Sequence, residues 1–274
     1  MKTNVLKICL VLVSAAVISC QSDSEVDTLQ ELEQSLIGTQ IKSLGFNTEG
    51  MYETEMDGKL GYAIESDIFL DKEMIQDMLK AYDRDTDEKH YVTPNLLPRD
   101  RAITVDVFLD PAFSNVMVAA FNDALNRYNA ININLTFRRT FQRNSSDIAI
   151  LSENIPNTPT GGVVLGRSAG FPRNSRPATP IVLNSRVFGG TSVRADAATV
   201  VAHEIGHAIG FRHTDWDDRS FSCGGRFDQE NRSGALYVPG TPEGAEAGSW
   251  MLACSGGNDR PFTASDRTAL RFVY

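Results

Sequence analysis

Three of the four histidines in this 274-residue chain fall within eleven residues, His203–His213, in the pattern H-E-x-x-H-x-x-G-x-x-H. His203 and His207 are four apart, so on a helix they share one face about one turn from each other. Two imidazole nitrogens can then reach one tetrahedral ion, and zinc is the ion this donor set suits. Glu204 follows the first histidine and lies beside the ion rather than on it, where it can take a proton from a water. Gly210 allows the backbone a sharp stop, after which the chain can turn back and deliver His213 as a third ligand. Three protein ligands leave a fourth position open, which is the arrangement of a catalytic zinc site rather than a structural one.

The extended motif resembles the signature of the metzincin clan of zinc peptidases, which includes a downstream methionine turn. Gly248-Ser249-Trp250-Met251-Leu252 looks like that turn, with Met251 beneath the metal. The run H-E-I-G-H-A-I-G-F-R-H-T-D at His203–Asp215 is most similar to the M57 family, the dual-action HEIGH metallopeptidases. The resemblance is specific over about 25 residues and looser over residues 99–274. It implies one catalytic Zn2+, a protein or peptide substrate, His203, His207 and His213 as metal ligands, and Glu204 as general base. Several metzincins carry a tyrosine two residues after the methionine; here Ala253 stands there, so the resemblance supplies no residue to stabilise the oxyanion. It also implies a substrate strand lying antiparallel along an exposed edge strand, for which Gly161–Gly166 is the candidate. A core strand between flexible turns is the other reading of that segment.

The elements that must position these residues follow from patterning. Residues 27–44 show helical apolar spacing, broken at Gly45-Phe46-Asn47. Lys59–Ile68 reads as a strand and Lys72–Tyr82 as a helix. Ile103, Val105, Val107 and Leu109 alternate as a strand, and Asp110-Pro111 is expected to open the next helix, which continues through Val116–Tyr128. Further strands are expected at Ile133–Phe137, Asp147–Leu151, Gly162–Leu165 and Ile181–Leu183. Thr191 or Ser192 is expected to cap the ligand helix Ala197–Ile209, with Asp196 in its first turn. Thr263 or Ser265 is expected to cap a last helix, Ala264–Phe272. The fold class is α+β. It matches a metzincin-like zinc peptidase fold with a mixed twisted sheet packed on the active-site helix and a small N-terminal α+β unit.

Composition divides the chain. The net charge is −9, yet residues 21–95 hold 18 acidic and 6 basic side chains, and residues 96–274 hold 17 and 18. Every lysine lies at or before Lys89. We therefore expect a boundary near 90–98, with Tyr91–Pro98 as linker. The acidic N-terminal unit reads either as a propeptide or accessory domain covering the cleft, or as a stalk; no cysteine remains in it to serve as a switch, and no single acidic residue stands out as one. Arg138, Arg139 and Arg143 are candidates to receive it. With no basic stripe interleaved with aromatics, nucleic-acid binding is not expected.

Residues 1–19 read as a signal, with a basic start and an apolar run too short to span a bilayer. Val17-Ile18-Ser19-Cys20 resembles a bacterial lipobox, which would make Cys20 the lipidated first residue of an exported lipoprotein, at the outer membrane or cell surface; plain secretion is the alternative. The domain expectation is thus 1–19 signal, 20–95 tether and accessory unit, 96–274 catalytic domain. Cys9 leaves with the signal and Cys20 takes the lipid. Cys223 and Cys254 remain as a disulfide, or as two unpaired thiols. Asp215, Asp217 and Asp218 could bind Ca2+ or form a solvated loop, and Asp215 could accept a hydrogen bond from His213 or from neighbouring backbone. Nothing indicates more than a monomer. The rival functions are a zinc hydrolase acting on a non-peptide or cell-wall amide, and an inactive lipoprotein that binds zinc.

Overall fold

The computed structural model describes residues 23–82, 92–93, 95–230 and 236–274. Cys20, His90 and the signal segment lie outside them. Contacts divide the chain after Ile37. Helix α1 (Asp23–Ser43) crosses that division. Residues 38–274 form the larger unit, which holds every strand and all three motif histidines among the described residues.

Eight strands form one mixed sheet: β1 (Tyr52–Met56), β2 (Lys59–Ile64), β3 (Ile68–Leu70), β4 (Ile103–Leu109), β5 (Leu135–Thr140), β6 (Ile148–Glu153), β7 (Gly166–Ser168) and β8 (Ile181–Asn184). Their order across the sheet is β1-β2-β3-β7-β8-β6-β4-β5. The first three pair antiparallel, β3 joins β7 in parallel, β7 is antiparallel to β8, and the other pairs are parallel. Asp57-Gly58, both with positive φ (49° and 74°), make the tight turn between β1 and β2, as an Asp-Gly hairpin should. Strand β1 was not expected from the sequence, because its two glutamates obscure the alternation; they lie on its more exposed face.

The helices are α2 (Lys72–Tyr82), α3 (Asn115–Asn129), α4 (Ser185–Phe188), α5 (Ala197–Ala208), α6 (Ser220–Cys223) and α7 (Ala264–Val273). The main core lies between the sheet and α3, α5 and α7, and includes Val107, Met117, Phe121, Ile150, Leu183, Val201, Ile205, Trp250 and Leu270. Helix α5 is buried along its whole length. Seven of its twelve residues are alanine, valine or isoleucine, which lets it pack against α3, β7 and β8.

Several expectations need correction. The expected strand Lys59–Ile68 is broken: Glu65 and Ser66 take positive φ (51° and 78°), so the chain turns at Glu65-Ser66-Asp67 and returns as β3. Pro111 does not open a helix. Asp110 accepts from the Ala112 amide in a local turn, and α3 starts after Ser114. Gly162–Leu165 is not a strand; the strand lies just after it, at Gly166–Ser168, and it is not an edge, because β3 and β8 flank it on both sides. Neither Thr191 nor Ser192 caps α5, whose N-cap is Asp196, and the Asp196 side chain accepts from Arg194 and Ser255 instead. Thr263 does cap α7, in a reciprocal capping box with Asp266. The expected linker is anchored at Val92 and Thr93, both buried: Val92 exchanges backbone hydrogen bonds with Leu236, and the Thr93 amide donates to Gly210. Strands from both sides of the compositional break share the one sheet.

Candidate metal centre

Helix α5 carries His203 and His207 on one face, and its end is set by Gly210. At φ +111° Gly210 closes a Schellman turn: the Phe211 amide donates to Gly206 O (2.8 Å) and the Gly210 amide to His207 O (2.9 Å). The reversed chain brings His213 back over the helix. His207 Nε2 and His213 Nε2 are 3.2 Å apart, and the three imidazoles and Asp67 place their donor atoms within 4.8 Å of one another.

Whether these residues suit a metal can be judged from the opposite edge of each ring. His203 Nδ1 faces Trp250 O (2.8 Å), His207 Nδ1 faces Phe211 O (2.8 Å), and His213 Nδ1 faces the Glu230 carboxylate (2.6 Å). Each partner is an acceptor, so each Nδ1 carries a proton; a cation taking the place of any Nε2 proton would then meet the Nε2 lone pair of each ring. Three such lone pairs converge in a buried space. The donor set fits zinc.

A fourth donor comes from far away in sequence. Asp67, in the turn between β2 and β3, puts Oδ2 3.1 Å from His213 Nε2, 3.3 Å from His203 Nε2 and 3.9 Å from His207 Nε2. Its other oxygen, Oδ1, is buried with no hydrogen-bond partner among the described residues. Burial would raise the Asp67 pKa, but the His213 charge and hydrogen bonds from His203 and His213 hold it well below the usual carboxylate range. No sequence signal singles Asp67 out among so many acidic residues.

Glu204 points into the same cleft. Burial, then the nearby Asp67 charge, pushes its carboxyl well above the usual range, and its Oε2 has no partner among the described residues. Gly166 on β7 makes room for it: a Cβ there would meet Glu204 Oε1 at 2.5 Å. His207 is driven down by burial and by the two neighbouring imidazoles. The cleft has a volume of about 710 Å³ and is walled by Val163–Gly166 on one side and by Leu252–Ser255 on the other.

Met251 is fully buried below the helix. A side chain on Gly206 would strike its sulfur, so the glycine of H-E-I-G-H lets the methionine turn pack directly on α5. The same turn gives Trp250 O to His203 and Met251 O to the Thr214 amide (2.9 Å). Tyr128 on α3 fixes the middle of α5 by donating to Ala202 O (2.7 Å) while accepting from Trp250 Nε1 (3.2 Å).

Around the third histidine, Asp215 takes the backbone alternative rather than His213. Asp215 accepts from the Ala253 amide (2.9 Å) and the Ser222 hydroxyl (2.5 Å), so it ties this loop to the methionine turn rather than to His213. Glu230 holds His213 instead; no pattern in the sequence marked it. Glu230 and Glu65 both reach the buried Arg212 (3.2 and 3.3 Å). One cation cannot neutralise both. Burial, reinforced by Glu230 and opposed by Arg212, pushes Glu65 up to about 8. Glu230 is held down to about 2, despite its burial, by His213, Arg212 and Arg219. Cys223 and Cys254 form a disulfide that staples this loop to the methionine turn. Asp218 accepts from the Ser220 amide (3.0 Å) just ahead of α6. Of the three candidate arginines, Arg143 pairs with Asp57 of the N-terminal strands (2.8 Å), Arg138 pairs with Asp106, and Arg139 stacks on Phe141.

No curated protein matches the chain. Among solved structures, high choriolytic enzyme 1, a hatching-enzyme zinc protease from Oryzias latipes (medaka fish), is 16% identical. That match covers 64% of this chain and 90% of the other, with TM-score 0.35. Myroilysin is 17% identical, covering 66% of this chain and 82% of its own, with TM-score 0.39. These likenesses are distant and carry no part of the assignment. The model of one family, described as the dual-action HEIGH metallo-peptidase, matches residues 62–274, from β2 through α5 to the last residue. Spanning more than three quarters of the sequence, that match places the chain in the dual-action HEIGH metallo-peptidase family.

Proposed function

We propose that this metallopeptidase is a zinc-dependent endopeptidase in which His203, His207 and His213 hold the ion and Glu204 is the general base. The observation that carries the reading is the convergence of three Nε2 atoms, each with its Nδ1 fixed on an acceptor, beside a buried carboxylate that has a free oxygen. Bound there, zinc would polarise the scissile carbonyl and acidify a water. Glu204 takes the proton from that water and passes it to the leaving amine. Gly166 allows the Glu204 carboxylate to lie against β7, and the segment Val163–Gly166 lining the cleft gives a peptide backbone a wall to pair with. Met251 and Trp250 fix the helix from below. The lipobox-like sequence at Cys20 supports export and lipid anchoring.

The test is a peptide-library digest by the zinc-loaded full chain and by its Asp67→Ala variant, each with and without Glu204→Gln. Glu204→Gln is expected to lower cleavage by about 10²–10⁴-fold, the range for loss of a general acid–base, while metal analysis still finds one zinc per chain. Equal cleavage with and without Glu204, or no peptide cleaved by either parent while a cell-wall amide is hydrolysed, would sink the reading.

A further inference from the structure

Four separate features converge on the Glu65-Ser66-Asp67 turn. The first is the position of the Asp67 carboxylate, with one oxygen 3.1–3.9 Å from all three imidazole nitrogens. Three histidines and one carboxylate oxygen make the full complement of a four-coordinate ion. The second is the orphaned Asp67 Oδ1, buried without a donor among the described residues. A buried carboxylate oxygen with no donor can be satisfied by a cation, and the cation position beside it is the one the histidines define.

The third feature is the backbone. β7 pairs with β8 on one side, and its other side, where a substrate strand would pair, is taken by β3. The Ser168 amide donates to Asp67 O (2.8 Å), and Ile68 pairs with Ser168 in parallel. A substrate lying as the clan resemblance implies would run the other way. The Asp67 carbonyl is therefore spent on β7 while its side chain faces the histidines. The fourth feature is how firmly the turn is held. Glu65 accepts from the Asn47 amide (2.9 Å) and reaches Arg212, and Ile68, Phe69 and Leu70 are all buried.

We propose that Asp67 is the fourth donor of the metal centre and that, with β3 along β7, it keeps this chain latent until the turn is displaced. The inference rests on the peptidase reading for what latency means, but the ligation itself does not. Histidine and carboxylate together leave no position for a water at the ion, and β3 leaves no edge for a substrate. Displacing the turn opens both at once. The residues concerned lie in the acidic part of the chain whose role composition alone left open, and the family match includes them.

The experiment uses the full chain loaded with Co2+ in place of zinc, so that the visible spectrum reports coordination. Asp67→Ala should change the wild-type spectrum. Acetohydroxamate, a small metal-binding probe, should shift the variant's spectrum further and leave the wild type unchanged at the same concentration. Peptide hydrolysis by zinc-loaded Asp67→Ala should rise about tenfold or more, as expected when a site populated open only a small fraction of the time is freed. Asp67→Asn keeps the side-chain size with a poorer donor and should fall between; it carries the test if the alanine variant does not fold. Superimposable spectra with equal hydroxamate response in all three proteins would overturn the ligation. Loss of zinc together with loss of all hydrolysis in both variants would make Asp67 a permanent ligand and overturn the latency. If hydroxamate distinguishes the proteins but none cleaves a peptide, the Asp67 assignment stands and the peptidase reading fails. If all cleave peptides equally, the reverse holds.

Discussion

Helix α5 and the β2–β3 turn meet at the same point, yet they come to it by different routes. Helix α5 brings His203, Glu204 and His207 together through a local repeat of four residues, and Gly210 adds His213 within one turn of chain. The β2–β3 turn brings Asp67 from 136 residues away. It depends on two residues in the left-handed region, Glu65 and Ser66, on the buried Arg212 that holds Glu65, and on the edge of β7 that accepts β3. The helix holds chemistry that survives changes elsewhere in the fold. The turn holds a contact that exists only while distant segments stay in place. A group delivered by long-range packing can be withdrawn without dismantling the site, which suits a latch better than a catalyst.

The two regions should therefore respond to substitution in opposite directions: Glu204→Gln on the helix lowers activity, and Asp67→Ala in the turn raises it. Other changes sharpen that contrast. Gly166→Ala places a Cβ against Glu204 Oε1, and misplacing a reacting group by about 1 Å can cost about 10²-fold in rate. We expect kcat to fall by that order while zinc content holds, as measured by peptide hydrolysis alongside metal analysis; unchanged kcat would show that Glu204 does not depend on β7. Glu230→Gln removes the charge that orients His213 Nδ1. Zinc affinity, measured by chelator competition, should weaken about 10–100-fold, and an unchanged affinity would remove Glu230 from the centre. Gly61→Ala is the smallest of the three and acts on the turn alone. Its Cβ would meet Leu70 O and the Phe69 ring at 2.6 Å, with an overpacking cost of about 1–3 kcal/mol read from denaturant unfolding. Because it loosens β2 from β3, it should also increase the response to acetohydroxamate. A stability loss with no gain in access would separate the packing of β3 from the latch.

Local codes were readable and distant ones were not. The ligand helix, its glycine stop, the Thr263 cap of α7 and the alternation of β4 all depend on neighbours within a few residues, so their positions could be read directly. The strand expected at an edge over Gly161–Gly166 lies a few residues later, at β7, and inside the sheet, because glycines suggest backbone approach without saying which residues pair. The glycine that matters most, Gly166, is needed for the Glu204 side chain that it faces across the cleft. Glu230 escaped notice because a lone glutamate in a loop has no periodic signature, and Asp215 drew attention only because it is near His213 in sequence.

By itself the sequence determined which side chains converge on α5, three imidazoles and one carboxylate with Met251 packed beneath, since helical spacing and a single left-handed glycine suffice to bring them together. The tertiary structure alone decided what stands in the fourth position. That depends on sheet pairing, on a buried ion cluster around Arg212 and on a turn between two strands, none of which any short stretch of residues specifies.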